Sequence, residues 1–161
     1  MKGLAFGGHR YNFVVDEAFF EQYFDRDIRH GNIRLLLEVE KTSRLMTLQF
    51  HFEGFLQLAC DRCLEMYEQP LRGDFRLIVK YGDREEELSE ELMTIPFDTS
   101  RFDIAPYISE YIRLMLPMKR VHPDDASGNP ACNVEMLKRL EMYEKPRTDT
   151  RWDALKDLKL K

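Results

Sequence analysis

Between Leu45 and Glu53 apolar and polar residues alternate without a break. Met46, Leu48, Phe50 and Phe52 share one face of an extended chain, and Thr47, Gln49, His51 and Glu53 share the other. Successive side chains of a β-strand point to opposite sides, so this pattern dictates a sheet with one dry face and one wet face. The same alternation runs from Tyr11 to Val15 and from Asn32 to Lys41, and it returns in Phe75, Leu77 and Val79. Lys41 to Arg44 reads as a hairpin turn, Gly54 as a bend, and Phe55 to Cys60 as a further extended run.

Helical spacing appears in two settings. Glu17 to Phe24 carries Phe19, Phe20, Tyr23 and Phe24 at intervals that make a short helix lying on the sheet. Past Gly82 the helical period takes over. Ile104, Tyr107, Ile108, Tyr111, Ile112 and Met115 stack on one stripe, with Asp103 as N-cap, Pro106 in the first turn and Pro117 as the stop. His122 to Pro130 is a loop and Val134 to Tyr143 a second helix. The tail from Arg151 to Leu158 opens with capping-box spacing, which predicts a third helix with Trp152 turned inward.

These elements predict an α+β fold of one domain over residues 1–161. It has a sheet-rich part (1–82), an acidic connector (83–101) and a helical part (102–161). The sheet is antiparallel, either open or closed into a barrel. A chain of 161 residues with 43% apolar residues has enough side chains for one core.

Charge and cysteine usage narrow the setting. The net charge is −5, and the run Asp83–Glu91, with six acids and one base, carries all of it. That run reads as a solvated loop or helix start, since like charges avoid burial. An acidic chain does not coat nucleic acid by bulk attraction. Any phosphate contact must come from local bases: Lys119 and Arg120 after the main helix, or the tail from Asn133 onward, with eight bases against six acids. Arg151, Trp152 and Lys156 belong to that tail, and Trp152 either stacks on a base or anchors the tail to a core. No apolar stretch approaches the roughly 20 residues of a membrane span, and the first residues lack the apolar centre of a secretory signal. Three cysteines cannot close a disulfide framework, which fits a reducing compartment and places the protein in the cytoplasm.

Cys60-Asp61-Arg62-Cys63 is the sharpest local motif, because two thiolates at this spacing can bind one ion from a tight turn. His122 and Cys132 are candidates to complete a zinc site of three cysteines and one histidine. Two other readings stand beside it: small buried thiols without metal, and a redox pair. His9, His30 and His51 read as structural or surface residues. Nucleophile-elbow, phosphate-loop, dinucleotide and metalloprotease patterns do not occur, so nothing in the sequence points to an enzyme or a small-molecule substrate.

Taken in order, the sheet-rich first half, Cys60-Asp61-Arg62-Cys63-Leu64, Phe102-Asp103-Ile104, Leu114-Met115-Leu116-Pro117, Cys132 and Arg151-Trp152-Asp153-Ala154-Leu155-Lys156 resemble the YceD-type family over nearly the whole chain. The resemblance implies a non-catalytic part in accumulation of the large-subunit (23S) ribosomal RNA of bacteria. The partner would be that RNA or a large-subunit ribosomal protein, and Cys60, Cys63, Cys132 and Trp152 would be signature positions. Relatives often carry further cysteines in the second half, where this chain has Cys132 alone. The rival expectation is a protein-interaction module stapled by metal at Cys60 and Cys63, with no RNA contact. An RNA-processing enzyme would need clustered histidines or acids that the sequence does not display.

Overall fold

The computed structural model describes residues 3–24, 28, 30–124, 128 and 131–144. The chain forms two compact units. Of the described residues, those up to 59 and from 66 to 120 form the first, and 60–65, 121–124, 128 and 131–144 the second.

In the first unit, β1 (Gly7–Val15), β2 (Gly31–Lys41), β3 (Leu45–Ala59) and β4 (Met66–Gly82) form an antiparallel meander. A short pair, β5 (Glu86–Ser89) and β6 (Leu92–Pro96), extends it to the order β1-β2-β3-β4-β6-β5. β6 runs parallel to β4, pairing Ile78 with Leu92 through Gly82 with Pro96, so the sheet is mixed. It is also open, with β1 at one edge and β5 at the other. The barrel alternative is therefore corrected to an open sheet.

Alternation does what the sequence predicts in β2 and β3 but not in β1, an edge strand where Tyr11 and Phe13 are exposed and Val15 alone is buried. Ile33, Leu35, Leu37 and Val39 of β2 are buried beside Met46, Leu48, Phe50 and Phe52 of β3, and the same face of β3 continues through Leu56 and Leu58. Gly54 does not break the strand. It sits opposite Ile33 on one side and Leu71 on the other, where the chains approach so closely that a side chain has no room. Thr42 closes the β2–β3 turn, its hydroxyl donating to the Leu45 carbonyl at 3.0 Å.

The acidic run departs from expectation. Instead of a loop or helix start it supplies β5, whose four residues are all exposed, while Met93 and Ile95 of β6 are buried. Glutamates on an outermost strand deter pairing with other chains, which reconciles the charge with strand geometry.

Helix α1 (Glu17–Tyr23) buries Phe20, and α2 (Ala105–Met115) buries Ile108, Tyr111 and Ile112. Tyr111 ties α2 to the sheet. Its ring stacks on Phe75 at 4.4 Å and meets Phe50 edge-on at 5.2 Å. Arg113 then joins α2 to the end of α1, donating to the Tyr23 carbonyl at 2.7 Å with its guanidinium 4.6 Å from the Phe24 ring centre. The N-cap is Ile104 and not Asp103; the Asp103 carboxylate accepts instead from the Ala105 N–H at 3.0 Å, an Asx turn. In the second unit α3 (Val134–Glu144) lies where helical spacing places it. The predicted tail helix over 151–158 falls outside the described residues. No helix among the described residues is long and apolar enough to cross a membrane.

Gly54→Ala tests the close strand approach. Its Cβ would run into the Asn32 carbonyl oxygen and lie 2.7 Å from the Ile33 Cα, both backbone atoms that cannot rotate away. Overpacking of this kind costs about 3 kcal/mol. At Gly82 the nearest atom to an added Cβ is 3.5 Å away, so Gly82→Ala should stay within about 1 kcal/mol of the parent protein. Denaturant unfolding measures both, and equal losses would refute the account.

A candidate metal centre

The second unit begins where β3 ends. Cys60 to Glu65 turns tightly, with the Leu64 N–H donating to the Cys60 carbonyl and the Cys60 N–H to the Glu65 carbonyl, both at 2.9 Å. Leu64 takes φ of 63°, a left-handed conformation that costs a non-glycine residue about 1–2 kcal/mol. It sets both cysteine sulfurs on the same side as the segment that follows Val121.

From that segment come His122 and Cys132. The Cys60 and Cys132 sulfurs are 3.7 Å apart, His122 Nδ1 is 3.4 Å from the Cys63 sulfur and 3.7 Å from that of Cys132, and all four atoms lie within 4.8 Å of one another. The edges of a tetrahedron with zinc–sulfur bonds of about 2.3 Å and zinc–nitrogen bonds of about 2.0–2.1 Å come to about 3.8 Å between sulfurs and about 3.6 Å between sulfur and nitrogen. The three shortest separations, 3.4–3.7 Å, match these edges, while the set as a whole spreads to 4.8 Å, wider than a closed tetrahedron. All three cysteines are buried and free, and His122 is half-buried. The His122 Nδ1 faces the sulfurs.

The thiols are not alike. Burial pushes the Cys60 thiol up, but the backbone N–H groups of Cys63, Arg62 and His122 and the His122 ring outweigh it, and the balance comes down to about 6. Burial, followed by the Cys60 and Cys63 sulfurs, pushes the Cys132 thiol up to about 11. A cluster of three sulfurs this close disfavours several negative charges at once. A cation held among them removes that repulsion and lets every thiol ionise.

Asn133, beside the last ligand, was not foreseen from the sequence. Its carbonyl oxygen accepts from the Glu135 N–H at 2.9 Å and caps α3, while its amide donates to the Glu65 carboxylate at 2.7 Å. One side chain thus joins the cysteine turn to the helix that follows Cys132. An Asn just before an apolar-periodic run was its signal as a cap, but nothing in the sequence pairs it with Glu65.

The candidates for RNA contact fall partly within the described residues. Lys119 is exposed and Arg120 half-buried, both at the end of the first unit, and Arg151, Trp152 and Lys156 lie outside the described residues. His9 contacts the Ala5 carbonyl oxygen, His30 pairs with Glu17 and His51 with Asp74, all at the surface.

A family model described as "Large ribosomal RNA subunit accumulation protein YceD" matches residues 48–159, which include all four ligand candidates. No curated protein matches the chain, and no solved structure does.

Asn133→Ala removes both the cap and the tie to Glu65. It should cost about 1 kcal/mol, read as faster amide exchange in α3, whereas Glu65→Gln, which keeps an accepting oxygen, should cost less. Unchanged exchange in Asn133→Ala would show that the tie contributes nothing.

Proposed function

Because the chain belongs to the family of large ribosomal RNA subunit accumulation proteins, YceD, we propose that it serves large-subunit ribosome assembly in the cytoplasm by binding and not by catalysis. Convergence of Cys60, Cys63, His122 and Cys132 supports the mode of action. Four protein ligands complete the coordination of a zinc ion and leave no position for water or substrate, the mark of a structural site. The ion would staple two segments 72 residues apart in sequence into one small module.

The partner is large-subunit ribosomal RNA or a protein bound to it. Lys119 and Arg120, together with Arg151, Trp152 and Lys156, are the residues assigned to RNA contact. A second reading, a stapled module that meets only protein, draws on a specific observation. Arg10, Arg34, Arg76 and Arg84 are each paired with a glutamate, which lowers the positive potential available to phosphate over the first unit.

Elemental analysis of the purified protein should find about one zinc per chain, falling sharply in Cys132→Ser; metal-free protein with full exchange protection in α3 would end the zinc reading. Capture of large-subunit precursors should weaken as salt rises. Lys119→Glu with Arg120→Glu should lower the slope of log affinity against log salt by about 2. Capture that ignores salt and both substitutions would favour the protein-only reading.

A further inference from the structure

The sheet has two unlike edges. At one, β5 carries Glu86 and Glu87, and glutamates on an outermost strand deter pairing. At the other, β1 has no such guard. Its nine residues pair with β2 without a bulge, none is a proline, and all but Val15 are exposed or half-buried. Arg10 is its one permanent charge, and Glu38 neutralises it at 2.7 Å.

The alternation of the ladder fixes which backbone groups of β1 are free. The Thr42 N–H donates to the Leu45 carbonyl and the Gln57 N–H to the His30 carbonyl, both at 2.9 Å, so the even-numbered residues of β2 bond to β3. The odd-numbered ones then bond to β1 and occupy Gly7, His9, Tyr11, Phe13 and Val15. The N–H and C=O groups of Gly8, Arg10, Asn12 and Val14 point away from the sheet, and no strand pairs with them among the described residues.

The side chains beside these groups are apolar out of proportion to an edge. Tyr11 and Phe13, 39% and 40% exposed, stack at 6.4 Å on one face, and Val14 is 61% exposed on the other. A long, unguarded edge of this composition is a template for a further strand.

We infer that β1 pairs antiparallel with β1 of a second copy of this chain, about a two-fold axis through Tyr11. Tyr11 is the midpoint of Gly7–Val15, so this register engages the whole strand. Gly8 meets Val14 and Arg10 meets Asn12 as hydrogen-bonded pairs, which gives all four free residues a partner. Between them Tyr11 meets Tyr11 and His9 meets Phe13 in the closer pairs that lack hydrogen bonds, where aromatic side chains gain most. No like charges stand opposite. Centring the pairing on Arg10 instead would set two guanidiniums against each other. This self-match selects a second copy over an extended segment of another protein, and RNA has no ladder of N–H and C=O groups to offer. The inference does not rest on the assembly reading.

Sedimentation equilibrium of the full chain should show a monomer–dimer equilibrium that shifts with concentration. Asn12→Pro removes an outward N–H and leaves the ladder to β2 intact, so it should weaken the dimer about tenfold or more with circular dichroism unchanged. Glu87→Gln on the opposite edge should stay within about twofold. Tyr11→Cys reads the register directly: its Cα would lie about 4.5 Å from that of its mate, and mild oxidation should cross-link the dimer above the background of the parent chain. Val14→Cys, about 20 Å from its mate, should not cross-link. A parent chain that stays monomeric at about 100 μM would overturn the inference and leave the edge to an extended segment of another protein. A dimer that survives Asn12→Pro at full affinity, or Val14→Cys that cross-links as readily as Tyr11→Cys, would overturn it too, since the contact would lie elsewhere. None of these readouts uses zinc content or precursor capture, so this inference and the assembly reading can fail separately.

Discussion

Pairing along the whole length of β3 is the constraint from which the first unit takes its shape. Lys41 to Gly31 hydrogen-bond along one side of it and Met66 to Lys80 along the other, so a single strand aligns the dry faces of three. Every even-numbered side chain from Met46 to Phe52, and again Leu56 and Leu58, is buried. A slip of one residue would turn that set to water and bring the polar set inward, which makes the register self-enforcing. Tyr111 of α2 finds its place only because Phe50 and Phe75 face the same way on adjacent strands.

What could be read in advance followed from periodicity. The β2–β3 hairpin, α1, α2 and α3 each repeat at 2.0 or 3.6 residues over enough positions to announce themselves. β6 carries only Met93 and Ile95 as buried positions, too few for a period to show, and β5 hides behind its glutamates. Strand order is a different kind of information. Alternation says that a face is dry but not which neighbour sits beside it, so open sheet and barrel remained equal until the edges β1 and β5 were located.

The candidate metal centre was half legible. Cys60 and Cys63 declare themselves by spacing, because one turn of chain brings both sulfurs to one point. His122 and Cys132 follow only from the chemistry a partial site needs, since nothing local marks them. Asn133 shows the limit of such reading. Its role as a cap is written beside it, but its bond to Glu65 spans 68 positions and exists only in three dimensions.

The second unit is discontinuous in sequence, with Cys60 to Glu65 inserted between β3 and β4 and the rest following Arg120. During synthesis the N-terminal portion emerges first, so the meander can pair while the thiols of Cys60 and Cys63 still await Cys132. A nascent chain therefore shows the Cys60 and Cys63 thiols without Cys132, which lies 72 positions beyond Cys60. Were an ion held by all four side chains, its capture would mark completion, since only a chain translated past Cys132 could close around it.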